Sequence, residues 1–284
     1  QCGCIVSAVL GSTQKTAQAA AKNLFDLFGI EATPYHRLEN LVKEEAISAI
    51  SICTPSALHE AQTRFCLENN LSVLCEKPLT YRLDGSNAEG SRKLFALAEK
   101  KKSVLSVNTQ WPAVLPQVRS EIGSQPTRSF GFHMESGLTG TGLLMDALPH
   151  ANSMLIGLCG AGTAQRLAVR KVSESAITVV FDYDCPPGRV KVQFELVFNA
   201  NTPRNLFFAV NDREFRRVVL EKYAQALQSD GRLIPIEDPL RVSIRRFVNA
   251  VQDRGSVPLI PKESVLHNAV LTDQVLKEYL RERG

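Results

Sequence analysis

The chain has 284 residues, 44% hydrophobic and 22% charged, with a formal net charge of +4, an ordinary globular composition for one large or two medium domains. The mild, scattered positive charge excludes a nucleic-acid groove. No apolar run reaches the roughly 18 residues of a membrane span, and no charged-then-apolar signal peptide opens the chain. Seven cysteines with no paired spacing beyond Cys2 and Cys4 exclude a disulfide framework and a cysteine-rich metal site, and point to a reduced, cytoplasmic protein.

Strands and helices alternate through the first half. CIVSAVLG (4–11) reads as a short buried strand, and TAQAAAKNLFDLFG (16–29) as a helix stopped by a glycine. A short strand at 33–35, a helix over 38–45 and a buried strand, AISAISICT (46–54), follow. SALHEAQTRFCLENN (56–70) is an amphipathic helix with Leu58, Ala61, Phe65 and Leu67 inward. SVLCEKP is again a strand, DGSNAEGSRKLFALAEKKK a helix with KKK (100–102) as its solvated end, and SVLSVNTQ (103–110) a strand. Such alternation predicts an α/β fold, a doubly wound parallel sheet with right-handed crossovers.

The pattern changes after about residue 125. One helix is expected over 147–158, then RLAVRKV, AITVVFDYD, GRVKVQFELVFN, RNLFFAVN and REFRRVVLEK read as successive strands. GRVKVQFELVF alternates polar with apolar residues, as in a sheet with one wet face. Helices over 238–253 and 262–282 close the chain. The division expected is a parallel-sheet domain over 1–110 and an α+β domain with a mostly antiparallel sheet over 111–284, its last helices packing back on the first.

Two strands end in unusual chemistry. LSVLCEKPLT (71–80) closes a buried run with an acid, a lysine and a proline side by side. Charged groups resist burial unless paired or employed, and proline forbids a continuing ladder bond. ISICTPSALH ends in a similar way. Ligands of open parallel sheets bind beyond the carboxyl ends of the strands, so Cys53, Thr54, Pro55 and His59 should share a cleft-facing rim with Glu76, Lys77 and Pro78.

CTPSALH followed by CEKPLT resembles the glucose–fructose oxidoreductase, inositol dehydrogenase and rhizopine-catabolism (Gfo/Idh/MocA) family of NAD(P)-dependent oxidoreductases, which carries T-P-x-x-x-H and then E-K-P. GTGLLMDALPHANSML resembles that family's glycine-rich turn and D-x-x-x-H, with Asp146 and His150 on its acid and histidine. DPLRVSIRRFVNAVQDRGSVPLIPKESVLHNAVLTDQVLK looks like its closing helices. The resemblance implies a Rossmann-like nucleotide-binding domain and an α+β domain whose sheet makes a homodimer or homotetramer. It puts a nicotinamide and a sugar or polyol in the cleft, without a metal. Lys77 would lie beside the substrate hydroxyl, His150 would accept the proton, and Asp146 would hold that histidine or the substrate in register. A cis Lys77–Pro78 bond is implied as well. The chemistry is coherent, because hydride leaves a carbinol carbon only as the hydroxyl proton departs to a base within reach, and an ammonium stabilises alkoxide charge.

The sequence departs from the family pattern in three places. No G-x-G-x-x-G turn precedes CIVSAVLG; GLTGTGLL (137–144) and GLCGAGT (157–163) are set aside because that motif needs a strand, a turn and then a helix. Either an N-terminal βα unit of roughly 30 residues belongs ahead of this chain or conventional dinucleotide binding is lost, and the otherwise intact site residues favour the former. The end of the first strand offers Gly11, Ser12, Thr13, Gln14 and Lys15 rather than a carboxylate for the adenosine ribose. Two hydroxyls and Lys15 suit a 2′-phosphate, which favours NADP while leaving NAD open; Ser12 and Thr13 also suit a helix cap. In VNTQWPAVLPQV (107–118) the family's basic residue is absent, so Asn108, Gln110 and Trp111 would line the pocket as neutral hydrogen-bonders and a stacking face, suited to a neutral sugar or polyol. Asn152 stands where an acid is common. His36, His133 and His267 read as structural or exposed, and His59 as capping or packing near the cofactor. A second reading stays open: a non-catalytic, dinucleotide-sensing or partner-binding protein of the same fold.

Overall fold

In the computed structural model, which describes residues 2–173, 175–221, 224–253 and 255–282, the first half alternates as its periodicity requires. Its elements are β1 (Ala8–Leu10), α1 (Gln14–Phe28), β2 (Thr33–Tyr35), α2 (Leu38–Glu44), β3 (Ala49–Ile52), α3 (Ser56–Glu68), β4 (Ser72–Glu76), α4 (Asn87–Lys101) and β5 (Leu105–Asn108). β1 pairs in parallel with β2, and β3, β4 and β5 form a second parallel sheet. The expected parallel layer is thus present in two pieces, with no ladder between β1 and β3 among the described residues. α1 folds back directly on β1 because Gly11 has no side chain: a Cβ there would lie 2.3 Å from the Ala17 nitrogen. The helix stops at Gly29, which takes a left-handed φ of 66°.

α3 departs from the face its apolar residues predict. His59, Thr63, Cys66 and Leu67 are buried, whereas Leu58 and Ala61 are exposed. A buried hydrogen-bonded imidazole outweighs the leucine here: His59 Nδ1 meets the Pro78 carbonyl and Nε2 the Thr54 carbonyl, both at 2.8 Å. That ring fixes the ends of β3 and β4 relative to each other.

The second half begins with a 3-10 turn (Trp111–Val114) and α5 (Leu115–Ile122), then β6 (Ser129–Ser136) and α6 (Gly140–Cys159). β7 (Thr163–Ser173), β8 (Ala176–Cys185), β9 (Gly188–Phe198), β10 (Leu206–Val210), β11 (Arg213–Val219), β12 (Gln225–Ser229) and β13 (Arg232–Ile236) follow. They form a sheet ordered β13-β12-β11-β10-β6-β9-β8-β7, antiparallel throughout except for β6 against β9. α6 starts seven residues ahead of the expected 147, because a helix buried all round shows no amphipathic edge to mark its start. Its Leu144, Leu148 and Met154 pack into the core cluster formed with Phe130, Phe132, Phe194 and Phe208 of the sheet. Phe194 meets Phe130 and Phe132 edge-on, at centroid distances of 6.2 and 6.3 Å.

Two closing helices, α7 (Pro239–Gln252) and α8 (Lys262–Arg281), return to the parallel half. Phe247 and Val248 of α7 pack on Leu74 of β4. α8 lies against both α4 and α6, and it carries a cap for another helix. Asp273, 6% exposed, accepts from Asn87 N and Asn87 Nδ2 at 3.0 and 2.8 Å and from Ala88 N at 2.8 Å. A carboxylate on the first amides of α4 satisfies orphan donors and complements the helix dipole. Asp273→Ala is therefore expected to cost about 2–4 kcal/mol, read as a lower urea midpoint with an unchanged m-value; an unchanged midpoint would show that α8 does not clamp α4.

Candidate active site

The carboxyl ends of β3, β4 and β5 make one rim, and the two charges that end β4 take different partners on it. Glu76 lies opposite Asn108 in the β4–β5 register, and Asn108 Nδ2 donates to Glu76 Oε1 at 2.5 Å. Lys77 Nζ donates instead to α6, reaching Asp146 Oδ1 and, at 3.1 Å, the Asp146 carbonyl. Asp146 Oδ2 accepts from Ser136 Oγ at 2.6 Å. One carboxylate thus fastens the ends of β4 and β6 to the second turn of α6. Burial raises the Asp146 carboxyl, but the Lys77 ammonium and the hydrogen bonds from Lys77 and Ser136 outweigh it and hold it below the usual carboxylate range. The Lys77–Pro78 bond is cis.

His150 stands one helical turn beyond Asp146, on the same face of α6. It is 4% exposed, and its Nδ1 is buried without a hydrogen-bond partner. Burial first, and the Lys77 ammonium second, push its pKa down to about 3; the Asp146 charge offsets this only in part. The ring is a neutral imidazole at physiological pH, near enough to the ammonium for that charge to help keep it so. Asp146 does not hold it, contrary to one expectation from sequence: both carboxylate oxygens are occupied by Lys77 and Ser136, and no hydrogen bond joins Asp146 to His150 among the described residues.

α6 is held here by contacts that the sequence did not reveal. Asn268 Nδ2 of α8 donates to the Pro149 carbonyl at 2.7 Å and to Ser153 Oγ at 2.8 Å, and Ser153 Oγ donates to Thr109 Oγ1 at 2.8 Å. Asn152 is fully buried and donates to Thr272 Oγ1 at 3.1 Å, so it supports the helix rather than facing a substrate. Such links join residues more than 40 positions apart, and no local motif marks them.

The remaining expected residues divide. Thr54 Oγ1 donates to Gln62 at 2.6 Å, while Cys53 and Pro55 are exposed on the rim. Asn108 and Trp111 are buried, at 3% and 5% exposure, and do not offer the open pocket lining expected of them. The Asn108 amide donor is engaged by Glu76, and Arg217 covers the Trp111 ring at 5.7 Å. Of the three, only Gln110 is partly open. Gly11, Ser12, Thr13 and Lys15 lie at the end of β1, on the other sheet, and no hydrogen bond joins them to the β3–β5 rim among the described residues. Thr13 caps α1 in a capping box with Thr16. GLTGTGLL spans the turn after β6 and the start of α6, so the strand, turn and helix found missing for it are present after all. That segment delivers Asp146 rather than opening a parallel-sheet crossover, because β6 belongs to the mixed sheet. His36 bonds Gln14 at 2.8 Å, His133 stacks on Phe207 at 4.3 Å, and His267 Nε2 meets Gly162 N and Tyr183 Oη at 3.2 and 3.0 Å. No cluster suited to a metal ion exists among the described residues.

Residues 5–109 match the family model of the Gfo/Idh/MocA oxidoreductases, described as an oxidoreductase family with an NAD-binding Rossmann fold. Over those residues the chain is similar to that family. The chain is 26% identical over 166 residues to an NADP(+)-dependent scyllo-inositol 2-dehydrogenase of Bacillus subtilis, and 32% identical over 98 residues to an inositol 2-dehydrogenase of Corynebacterium glutamicum. These matches span 52% and 34% of this chain but only 45% and 26% of those relatives, less than half of either. The fold is shared with a 3-ketoreductase from Actinomadura kijaniata in complex with NADP, at a TM-score of 0.74 and 20% identity over 96% of this chain and 89% of that one. An oxidoreductase from Agrobacterium radiobacter in complex with NAD+, L-tartaric acid and magnesium has the same fold, at a TM-score of 0.69 and 14% identity over 98% and 89%.

Between about pH 6.5 and 3 an unfolded histidine takes up a proton that native His150 refuses, so the unfolded state binds more protons and stability falls as pH falls. The contribution is complete above the ordinary value of 6.5 and is lost below it, by at most about 1.4 kcal/mol per pH unit. Urea unfolding of His150→Gln is expected to lose less stability than the parent chain between pH 6.5 and 5; equal losses would place the imidazole in a solvated position.

Proposed function

We propose that this chain is part of an NADP-preferring oxidoreductase that moves a hydride between the nicotinamide and a secondary alcohol or ketone of a sugar or polyol. The carrying observation is that Lys77, from the end of β4, is ion-paired to Asp146 of α6, and that a neutral, buried imidazole one turn further along that helix feels the same ammonium charge. The curated relatives, inositol dehydrogenases of which one is NADP(+)-dependent, support the substrate class and the cofactor.

The cofactor fits the β3–β5 rim. Thr54, Pro55 and Glu76 line it as polar and small groups, and Asn108 Oδ1, buried just behind the same rim, has no hydrogen-bond partner among the described residues. Ser12 and Lys15 at the end of β1 suit a 2′-phosphate. Bound nicotinamide supplies the hydride acceptor or donor. His150, held neutral, takes the hydroxyl proton on oxidation and returns it on reduction. Lys77 hydrogen-bonds the same oxygen and stabilises its alkoxide character. Asp146 keeps Lys77 aimed and does not itself exchange the proton, since its carboxyl is held ionised.

The working unit in this reading divides near residue 110 into cofactor and substrate domains. It self-associates through the sheet face opposite α6, where His133 stacks on Phe207 and Arg216 covers that ring at 4.3 Å. A cytoplasmic site of action is supported by seven free cysteines. On the full natural chain, NADPH fluorescence titration should show binding, and polyol or keto-sugar turnover should drop about 100-fold or more in Lys77→Ala with NADPH affinity retained. Absence of dinucleotide binding, or unaltered turnover in that variant, would refute the proposal.

A further inference from the structure

Among the described residues, Arg217 is a cation on the inner face of the large sheet that forms no salt bridge. Alternation along β11 puts Arg217 on the same face as Phe215, which is fully buried against the core that holds α6. Its neighbour Arg216 points to the other face, over Phe207. Extending the β10–β11 register one residue beyond Phe207–Arg216 sets Arg217 level with Leu206, which is itself paired with Met134 of β6. Ser136, the hydroxyl bonded to Asp146, is two residues further along β6. Arg217 therefore stands about 10 Å across the sheet from the strand that carries the site, at the end where β6 meets α6.

The local chemistry is unusual. The Arg217 guanidinium lies over the ring of Trp111, 5.7 Å from its centroid, and Trp111 follows directly on the β5 rim. Arg217 Nε is buried with no hydrogen-bond partner, whereas Nη1 and Nη2 are not shut away. No carboxylate among the described residues forms a salt bridge with it. Stacking alone would explain an arginine on a tryptophan, but not a buried donor left without an acceptor, which costs free energy unless something fills it. On the same face, Gln225 Oε1 of β12 is also buried and unpartnered. The inner face of the sheet thus offers a fixed cation and a polar neighbour two strands from β6, whose end carries Ser136 of the Lys77–Asp146 site.

We infer that the substrate of the proposed oxidoreductase is an acidic sugar derivative, bearing a carboxylate or a phosphoryl group, and that Arg217 is the residue that reads its charge. A planar guanidinium clamped on an indole is pre-organised for two parallel hydrogen bonds to such a group. This rests on the oxidoreductase reading and reverses one expectation drawn from sequence, that Asn108, Gln110 and Trp111 make a neutral pocket for a neutral sugar. The basic residue absent from the stretch after β5 is replaced from another strand, with Trp111 as its platform.

The test uses the full natural chain with saturating NADPH and calorimetric titration of D-gluconate, D-glucuronate and D-glucose 6-phosphate beside neutral D-glucose and myo-inositol. At least one anionic sugar is expected to bind tenfold or more tightly than the neutral ones, and the carboxylates and the phosphate separate the two sources of charge. Arg217→Gln should remove that preference, by about 10–100-fold, while NADPH binding and the weak binding of neutral sugars stay unchanged; Arg217→Lys should recover part of it. Neutral sugars binding as well as the anionic ones, a preference that survives Arg217→Gln, or NADPH binding with no anionic sugar bound would each overturn the inference. Failure to bind NADPH at all would overturn the oxidoreductase reading itself.

Discussion

The ion pair between Lys77 and Asp146 joins the two halves of the molecule at the candidate site. Removing one member of a pair this sheltered leaves the other as an uncompensated charge, at a cost of about 3–5 kcal/mol. The Lys77 and Asp146 side chains are 14% and 26% exposed, so the pair is sheltered but still reached by solvent. Everything near it is arranged to keep the carboxylate ionised and the ammonium in place. Ser136 satisfies the second carboxylate oxygen, and the Asp146 carbonyl satisfies a second ammonium proton. The neutral state of His150 is partly a result of the same pair, since the ammonium repels a proton on the ring.

Behind the pair lies a support of buried hydrogen bonds rather than more charge. α8 supplies most of it: Asp273 caps α4, and Asn268 fixes α6 at Pro149 and Ser153. His59 does the same for the rim by tying the carbonyls of Thr54 and Pro78. The last helix of the chain thus orders elements from both halves, so positions remote in sequence set the spacing of the two site groups. Buried networks of this kind specify one geometry when every member is satisfied. Buried atoms left without a partner among the described residues include Asn108 Oδ1, His150 Nδ1 and Arg217 Nε, and also Thr63 Oγ1, Gln117 Oε1, Asn152 Oδ1 and Gln225 Oε1.

Much of the fold was legible because its signals are local. Strands and helices of the first half announce themselves by period, and Gly29 and the lysine run mark helix ends where the structure has them. β12 and β13 were not legible, since QALQS and RLIPI are short and partly polar, and Pro235 argues against a strand except at a sheet edge, which is where β13 lies. α5 was hidden by Pro116 in its first turn. Of the candidate residues, Lys77, Asp146 and His150 are carried by short motifs, and the structure brings Lys77 and Asp146 together. Trp111 and Asn108 were named for the wrong reason, because exposure depends on what packs above them. Arg217 and Asn268 could not be named at all, since only the register of β11 and the docking of α8 bring them near.

The convergence of Lys77 and His150 on one reacting oxygen is tested most directly by a double-mutant cycle on kcat/KM, with Lys77→Ala, His150→Ala and both changes in the full natural chain. Groups that act on the same atom in one transition state are not independent, so the double variant should be about as slow as the slower single variant. Losses that multiply would mean that the ammonium and the imidazole act at separate places.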